Sequence, residues 1–470
     1  MRYDVIIIGS GLGGLLCGAL LAKEGRRAVV LEQSNQAGGS MQSFRRGRHM
    51  LDTGLHYVGG LAEGQMLHEA FSRLGLLDLP WHRMDDCFDR VIIGDRQFRL
   101  MQGWDNFVDE LSRDFPHQRA ALREYAERMH RITPDDMEVN AWDYLHDTFS
   151  DEMLINVISA GAMKVELRRE TLPLFNFAHA QSSFIDSSWR LKGDGNMIVS
   201  HLQGIIEQNG GMVHTRRKVV RLVHDDKAVA KVVTADGTHY EADYVISDIH
   251  PTLLSGLLDR NIRKAARFVA RNENADNTFG MFTAQLVLKP GAIAYQNHNT
   301  YVYDAPCVWD FYRQDGEAAG VMVSFRVPED GAAHATQIDL LTPMPWKQCS
   351  EWASTATGRR TTSYKEMCNE KVRQCIQLAE RAVPGLGDAV DTCYTSTPLT
   401  YRDYLMSPEG NAFGTRKDSS RSLLTFGTVK SPLQNLLLTG QSVCLPGVEG
   451  VTMTAYETCR HILHGDAVGR

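Results

Sequence analysis

The sequence predicts an α/β protein that contains a doubly wound, Rossmann-like sheet, and three features near its start lead to this prediction. A short β-branched run at 3–8 ends in a glycine-rich turn, a helical stretch follows at 15–23, and a second apolar run comes at 27–31. Apolar runs of this length, joined by one helix, are typical of parallel strands that are covered on both faces. The chain of 470 residues is also long enough for two or more domains.

Composition and charge exclude several classes of protein. The net charge of −7, from 50 basic and 57 acidic residues, argues against a nucleic-acid-binding protein. Nine scattered cysteines without a C-x-x-C pair indicate free thiols in a reducing compartment, so we expect a cytoplasmic protein. No uninterrupted apolar run of about 20 residues occurs, so we expect no transmembrane helix, and peripheral contact with a membrane stays open. We expect no metal site, because His461 and His464 have no third ligand nearby.

The glycine-rich turn matches the dinucleotide-binding pattern G-x-G-x-x-G at Gly9, Gly11 and Gly14. The first glycine permits a tight turn, the second lets the backbone approach a pyrophosphate, and the third lets the helix pack closely on the strand. Glu32 lies 18 residues after Gly14, at the end of the second strand, where a carboxylate binds ribose hydroxyls and disfavours NADP. The predicted nucleotide-binding residues of this unit are Gly9, Gly11, Leu12, Gly13, Gly14, Glu32 and Gln33.

Two further segments resemble a known family of flavoproteins. The segment 36–40 (QAGGS) follows the second strand, and the segment 52–59 (DTGLHYVG) comes soon after it. With these segments, the sequence from 3 to 60 resembles the N-terminal region of the phytoene desaturase-like FAD-dependent oxidoreductases, and most of all their retinol saturase and carotenoid isomerase branch. The resemblance implies that FAD is the cofactor. The FAD contacts that it implies in this region are Gly38, Gly39, Ser40 and His56.

The C-terminal region supports a flavin independently. The segment 437–442 (LLTGQS) is a strand followed by a loop, and the segment 446–453 (PGVEGVTM) opens the last helix. Such a helix start directs backbone N–H groups at the N1/O2 edge of a flavin, which carries negative charge in the reduced flavin. Ser442 stands where the resembling family has an acid, and the strand that begins at Val219 resembles the one that touches the adenine. The predicted FAD contacts here are Val219, Gly440, Gln441, Gly450, Val451 and Thr452.

The resemblance also implies how the chain is divided into domains. A discontinuous FAD-binding domain comprises 1–75, 185–255 and 425–470, and a mixed α+β substrate domain of 76–184 and 256–424 is inserted between these segments.

The apolar pattern predicts the secondary structure of the substrate domain. We expect 61–184 to be mostly helical, with amphipathic helices at 64–76, 104–114 and 117–131. The later part, by contrast, mixes strands with one clear helix at 363–382.

The expected activity follows from the resemblance. It implies an FAD-dependent oxidoreductase that transfers hydride at flavin N5 to or from a carbon–carbon bond of an apolar, retinoid- or carotenoid-like small molecule. Saturation and isomerisation are favoured over desaturation. A flavin amine oxidase shares the nucleotide-binding motifs and is the alternative, and a non-catalytic flavin-binding module is a minor third hypothesis. No second dinucleotide pattern occurs, so the external electron donor is not visible in the sequence.

A proton donor is also expected, because saturation adds a hydride to one carbon and a proton to its neighbour. If the segment 52–58 is extended, His56 shares a face with Asp52 and Gly54, whereas Tyr57 faces the other way. Histidine titrates near about 6.5 and tyrosine near about 10, so His56 is the better acid at neutral pH. We predict His56 as proton donor or positioning group and Tyr57 as its packing or orienting partner. The alternative is that His56 only satisfies a backbone carbonyl.

Overall fold

The computed structural model describes residues 1–304, 307–309, 316–328 and 331–465, which form an α/β structure around two seven-stranded sheets. The strands are β1 (Arg2–Ile8), β2 (Ala28–Leu31), β3 (Ser43–Arg46), β4 (His49–Asp52), β5 (Val58–Gly59), β6 (Trp81–Arg83), β7 (Cys87–Ile93), β8 (Arg96–Met101), β9 (Ser188–Leu191), β10 (Met212–His214), β11 (Val219–His224), β12 (Val229–Thr234), β13 (His239–Ser247), β14 (Gly280–Leu288), β15 (Asn299–Tyr303), β16 (Gly320–Phe325), β17 (Gln337–Met344), β18 (Val390–Ser396) and β19 (Leu436–Leu438).

The helices flank these sheets or connect their strands. They are α1 (Leu12–Lys23), α2 (Met66–Arg73), α3 (Trp104–Asp114), α4 (Arg119–Met129), α5 (Ala141–Thr148), α6 (Glu152–Ser159), α7 (Leu174–Asp186), α8 (Asn196–Gln208), α9 (Pro251–Ser255), α10 (Arg263–Asn272), α11 (Thr362–Ala379), α12 (Leu386–Ala389), α13 (Pro398–Leu405), α14 (Ser422–Thr425) and α15 (Gly447–Gly465).

The first sheet has the strand order β10-β2-β1-β13-β12-β11, with β19 on the other side of β13. Strands β10, β2, β1, β13 and β19 are parallel, whereas β11 and β12 form an antiparallel extension. Helix α1 packs against α8 and α15 on one face of this sheet. Gly18 permits the contact with α8, because a Cβ atom there would lie 2.8 Å from Ile206 Cδ1. This arrangement confirms the predicted doubly wound fold class.

The second sheet has the order β18-β14-β17-β16-β15-β7-β8 and is antiparallel except for the pair β15 and β7. Alternate side chains of its strands point to opposite faces, as the strand period of two requires. Phe282 and Leu340 belong to the core that includes α11, whereas Met281 and Leu341 belong to the core formed with α3 to α7. The sheet is therefore covered by helices on both faces.

The prediction of a mostly helical region at 61–184 is wrong between 81 and 101, where strands β6, β7 and β8 occur. Val91, Ile92 and Ile93 end β7, and the turn at Gly94 lets the chain return as β8. Strand β7 also pairs with β15, which lies about 200 residues later in the chain. Pairing with so distant a strand is a tertiary effect that the local pattern of 61–184 did not reveal.

The segment 52–58 is not one continuous strand, which corrects a second expectation. Strand β4 ends at Asp52 and β5 begins at Val58. The carboxylate of Asp52 accepts a hydrogen bond from Arg326 at 2.7 Å and one from the backbone N–H of Gly195 at 2.9 Å, and Gln285 donates to its carbonyl at 2.7 Å. These three contacts to separate parts of the fold fix Asp52, so the chain bends after it and crosses between the sheets.

All nine cysteines are free thiols. No described helix has the length and apolar character that crossing a bilayer requires.

Candidate active site

A cavity of about 540 Å³ extends from the carboxyl ends of the first sheet's parallel strands to the second sheet. Most of the residues predicted from the sequence line it. They are Gly9, Gly11, Leu12, Gly13, Glu32, Gln33, Gly39, Ser40, His56, Tyr57, Val219, Gly440, Gln441, Gly450 and Val451. The folded chain thus brings together segments from both ends of the sequence.

Three predicted residues do not line the cavity and have packing roles instead. A Cβ atom at Gly14 would lie 2.3 Å from the carbonyl oxygen of Gly9, so only glycine lets α1 approach β1 here. Gly38 has φ +122°, and a Cβ atom there would lie 2.7 Å from Val199. The hydroxyl of Thr452 is fully buried and donates to the carbonyl of Val448 within α15.

The end of the cavity near β1 is a backbone cradle beside the carboxylate of Glu32. A Cβ atom at Gly39 would lie 3.0 Å from the Cα of Gly11, so the two chain segments touch only because both positions are glycine. The carboxylate of Glu32 accepts hydrogen bonds from the hydroxyl of Ser10 at 2.6 Å and from the backbone N–H of Ser34 at 2.8 Å. The backbone N–H of Ser10 also donates to it at 3.1 Å, and Glu32 lines the cavity, where its remaining acceptor capacity suits a ribose hydroxyl. These residues fit the dinucleotide part of FAD.

Asp248 also lies at this nucleotide end, and sequence analysis missed it. Its carboxylate lies beneath the glycine turn, so that a Cβ atom at Gly11 would be 2.6 Å from Asp248 Oδ2. Burial, with a smaller contribution from the charge of Glu32, raises the pKa of Asp248 to about 7. Asp248 directly follows β13, the parallel neighbour of β1, and the carboxyl ends of such strands are where ligands bind in open α/β sheets. That rule could have identified it.

The start of α15 closes the same end of the cavity. Gly440 has φ +89°, which favours glycine at the turn after β19. A Cβ atom at Gly450 would lie 2.4 Å from Leu445 Cβ, so a side chain there displaces the turn before the helix. Glu449 lines the cavity from the first turn of α15, where burial raises the pKa of its carboxyl group.

The opposite end of the cavity has largely apolar walls. The second sheet and the region before α7 contribute side chains, and α13 and the loop after it contribute three aromatic residues. The residues concerned are Met163, Met281, Met322, Leu341, Tyr401, Tyr404 and Phe413.

His56 and Tyr57 both line the cavity but have different partners. His56 Nδ1 lies 3.4 Å from Asp339 Oδ2, and 12% of its side chain is exposed. The hydroxyl of Tyr57 donates to Asp89 Oδ2 at 3.0 Å and lies 2.8 Å from the hydroxyl of Tyr301. Burial, with the charge of Asp89, raises the pKa of Tyr57 well above its usual value. Tyr57 is therefore neutral across the physiological pH range.

Lys164 is the second residue of the site that sequence analysis missed. It ends the 3₁₀ helix Ala160–Lys164, borders the cavity, and donates a hydrogen bond to the hydroxyl of Tyr57. Its Nζ lies 3.6 Å from the ring centroid of Phe184 and 4.6 Å from that of Tyr57. Burial lowers the pKa of Lys164 to about 8, although the charge of Asp89 opposes this shift. No local motif marks Lys164, because its partners come from distant segments.

The site combines a glycine cradle that fits a dinucleotide with an apolar cavity, an arrangement that suits a flavin-dependent oxidoreductase. Residues 12–280 match the sequence model of the family described as flavin containing amine oxidoreductase. The matched residues make up more than half of the chain. The chain belongs to this family, it is an enzyme, and its cofactor is FAD.

Similarity to individual proteins confirms the resemblance stated from the sequence. The chain is 23% identical to all-trans-retinol 13,14-reductase of Danio rerio over 522 aligned residues, which cover 98% of this chain and 86% of that protein. It is 21% identical to the chloroplastic prolycopene isomerase of Arabidopsis thaliana, over 99% of this chain and 83% of that protein. The structure of cyclohexylamine oxidase from Brevibacterium oxydans superimposes with a TM-score of 0.64 at 15% identity, covering 98% of this chain and 99% of that one, which shows a shared fold.

Proposed function

We propose that this FAD-dependent enzyme acts on a carbon–carbon bond of an apolar, retinoid- or carotenoid-like polyene or isoprenoid, by saturation, isomerisation or desaturation. The observation that carries this proposal is the single cavity that joins the glycine cradle to walls such as Met281, Met322 and Leu341. A chain without polar groups gains free energy when it leaves water for such walls. The activities for which the retinol reductase and prolycopene isomerase relatives are named favour the same substrate class.

We propose that the FAD-binding part comprises 1–75, 185–255 and 425–470, and that 76–184 with 256–424 forms the substrate part. The strands of the first sheet lie within the former ranges and those of the second sheet within the latter. When bound, FAD supplies hydride transfer at N5. The chain's own residues bind the dinucleotide through the glycine cradle and Glu32, and the apolar walls exclude water from the reacting bond.

For a saturating reaction, His56 is the proposed proton donor. Its imidazole lines the cavity, and Asp339 Oδ2 lies 3.4 Å from Nδ1, close enough for an ion pair with the protonated ring. Such a carboxylate fixes the tautomer that leaves the other ring nitrogen free to hold a proton. Tyr57 stays the proposed packing or orienting partner of His56 as its neighbour in the chain, while its hydroxyl group contacts Asp89, Tyr301 and Lys164.

Anaerobic single-turnover experiments test the proposed function. The purified protein is loaded with FAD, reduced chemically, freed of the reductant and mixed with all-trans-retinol. We expect the flavin absorbance to return while mass spectrometry finds the product heavier by two hydrogens. Lycopene isomers, mixed with the same reduced enzyme, test the isomerisation alternative by chromatography. Failure of every polyene to change, with the flavin fully bound, would contradict the proposal.

Flavin amine oxidation is the second candidate function, because the matching family model carries that description. Anaerobic addition of putrescine or cyclohexylamine to the oxidised enzyme distinguishes it, since an amine substrate bleaches the flavin. The ammonium group of Lys164 at the cavity repels a cationic amine, and we therefore expect no bleaching. Full FAD binding without redox turnover of polyenes or amines would leave the third hypothesis, a non-catalytic flavin-binding module.

Peripheral contact with a membrane is the last part of the proposed function. Leu423 and Leu424 of α14 are 86% and 62% exposed. Arg271, at the end of α10, donates a hydrogen bond to the carbonyl of Leu424 at 2.8 Å, and the same helix exposes Arg263 and Arg267. Exposed leucines beside cations fit an anionic lipid surface, which accepts apolar side chains below its headgroups.

Vesicle sedimentation tests this contact. We expect binding to vesicles that contain phosphatidylglycerol, weaker binding to pure phosphatidylcholine, and release by high salt. The double substitution Leu423→Ser with Leu424→Ser weakens the binding. Recovery from cells only with detergent, or unchanged vesicle binding by the double variant, would contradict the contact.

A further inference from the structure

The cation at the apolar end of the cavity has unused hydrogen-bonding capacity. A lysine ammonium group has three N–H donors and no acceptor. In the described part of the chain, Lys164 uses one of them, toward the hydroxyl of Tyr57, and Asp89 acts on its Nζ through charge without forming an ion pair. The other two donors are on the side chain that borders the cavity.

Aromatic rings hold this ammonium group in place but do not replace acceptors. The ring centroids of Phe184, Tyr57 and Tyr301 lie 3.6, 4.6 and 5.9 Å from its Nζ. Ring faces attract a cation with modest energy, and they leave its N–H groups free for a stronger acceptor. A charge-assisted hydrogen bond to an oxygen anion is roughly twice as strong as a neutral one.

The carboxylate of Asp89 lies behind Tyr57 as seen from Lys164, and other residues already donate hydrogen bonds to it. Asp89 accepts hydrogen bonds from Tyr57 at 3.0 Å and from Asn299 at 2.9 Å. The hydroxyl of Tyr57 therefore separates Asp89 from Lys164. The aromatic and carboxylate groups orient the ammonium group, and an acceptor from outside the chain can still bind it directly.

We propose that the cavity binds an amphipathic, unsaturated lipid with a terminal carboxylate, and that Lys164 binds this carboxylate while the chain lies along the apolar walls. This inference rests on the proposed function and specifies the head group of its substrate. Because the hydroxyl of Tyr57 donates its hydrogen bond to Asp89, its oxygen can only accept one from Lys164. Tyr57 therefore positions the ammonium group and leaves the other two N–H donors of Lys164 to the carboxylate of the ligand.

The ionisation of Lys164 gives this binding a defined pH dependence. Burial lowers the pKa of Lys164 to about 8, and a bound carboxylate raises it again. The facing groups are Tyr57 and Tyr301, whose pKa values burial raises well above 10, and Asp89, whose pKa burial raises from its usual value of 3.8. Lys164 is thus the group of this cluster that titrates just above neutral pH. Affinity for a carboxylate falls above about pH 8, by at most tenfold per pH unit.

The test uses cis-parinaric acid and its methyl ester, two fluorescent polyenes that differ only in the charge of the head group. Each is titrated into the FAD-loaded protein at pH 7 and followed by the rise in probe fluorescence. We expect the acid to bind about tenfold or more tightly than the ester. Between pH 7 and 10 the affinity for the acid falls toward that of the ester, whose own affinity stays constant.

Three variants assign the effect to Lys164. Lys164→Met removes the preference for the acid and leaves the affinity for the ester within about threefold. Lys164→Arg keeps the preference up to pH 10, because a guanidinium group does not lose its proton in this range. Lys430→Met, at an exposed position outside the cavity, leaves both affinities unchanged. FAD content and thermal unfolding show that each variant is folded.

Equal affinities for acid and ester in the wild-type protein would overturn the inference, as would an acid preference that survives in Lys164→Met. Binding of neither probe would overturn it as well. These outcomes differ from failure of the proposed function, which is judged by turnover. A Lys164-dependent acid preference without any conversion of a polyene would retain the head-group site and refute the polyene reaction. Conversion of a polyene without an acid preference would retain the polyene reaction and refute the head-group site.

Discussion

The two ends of the cavity are built in different ways. The nucleotide end consists of backbone and glycines together with the carboxyl groups of Glu32, Asp248 and Glu449, and its glycine turn and Glu32 lie within the first 40 residues. At the substrate end, the cluster of Tyr57, Asp89, Lys164 and Tyr301 consists of side chains, and its first and last members are 244 residues apart. A backbone site leaves a local motif in the sequence, whereas a side-chain cluster is assembled only by the tertiary fold.

The largest expected effect is at the nucleotide end, where no side chain can be added. We expect Gly14→Val to weaken FAD binding by at least about 100-fold and to lower the free energy of unfolding by about 2–4 kcal/mol. The physical reason is that a Cβ atom would lie 2.3 Å from the carbonyl oxygen of Gly9, which is backbone and cannot move aside. Flavin fluorescence titration and thermal unfolding measure the two effects.

Gly204→Ala is the matched control for this substitution. Gly204 lies inside α8, and the nearest atom to a new Cβ is the flexible Gln208 Nε2 at 3.9 Å. Alanine favours the helix by about 1 kcal/mol, so we expect unchanged FAD affinity and a slightly higher melting temperature. Tight FAD binding by Gly14→Val would refute the close approach of α1 and β1 as the basis of the site.

The same contrast explains what could be predicted from the sequence. The first βαβ unit, the glycine turn and Glu32 follow local rules of periodicity and spacing, and the structure has them at the predicted positions. The hairpin of β7 and β8 has a local signal in the apolar run 91–93 and at Gly94, whereas the pairing of β7 with β15 escaped prediction because β15 lies far away in the sequence. Lys164 escaped for the same reason, since only folding gives it Tyr57, Phe184 and Tyr301 as neighbours.

His56 is where the two kinds of construction meet, since the motif segment supplies the imidazole and the second sheet supplies Asp339. If His56 delivers the proton, His56→Gln lowers the single-turnover rate of pre-reduced enzyme by about 100-fold or more. Because His56 is also a predicted FAD contact, FAD affinity is measured in parallel, and the rates are compared with the flavin fully bound. A wild-type rate in this variant would make His56 a structural residue, with the proton coming from another group.

Asp248 offers a test by pH at the nucleotide end. Burial, with a contribution from Glu32, raises the pKa of Asp248 to about 7. A carboxyl group with a raised pKa binds more protons in the folded state, so its contribution to stability falls as the pH rises from about 4 to 7. Above pH 7 it becomes a carboxylate beside the glycine turn, where the pyrophosphate of FAD is proposed to bind.

We therefore expect FAD affinity to fall above pH 7, by at most tenfold per pH unit, because the two negative charges repel. Asp248→Asn removes this dependence, and its affinity at pH 9 exceeds that of the wild type. Asp391→Asn, at an exposed position in β18, keeps the wild-type profile. A profile that Asp248→Asn leaves unchanged would assign the titration to a different group.

The smallest expected effect is at the substrate end, where Asp89 acts on Lys164 through its charge. Asp89 raises the pKa of Lys164 against the effect of burial, so its neutralisation lowers that pKa below about 8. In Asp89→Asn the ammonium group loses its proton at lower pH, and the preference for parinaric acid over its ester declines earlier as the pH rises. At pH 8 we expect the acid to bind ~3-fold more weakly than to the wild type, with the ester unaffected.

Tyr301→Phe is the control, because it removes a hydroxyl group from the same cluster without changing the charge of the cluster. The midpoint pH at which the preference for the acid declines stays the same in this variant. A midpoint that Asp89→Asn does not lower would mean that the charge of Asp89 does not reach Lys164 across the hydroxyl of Tyr57.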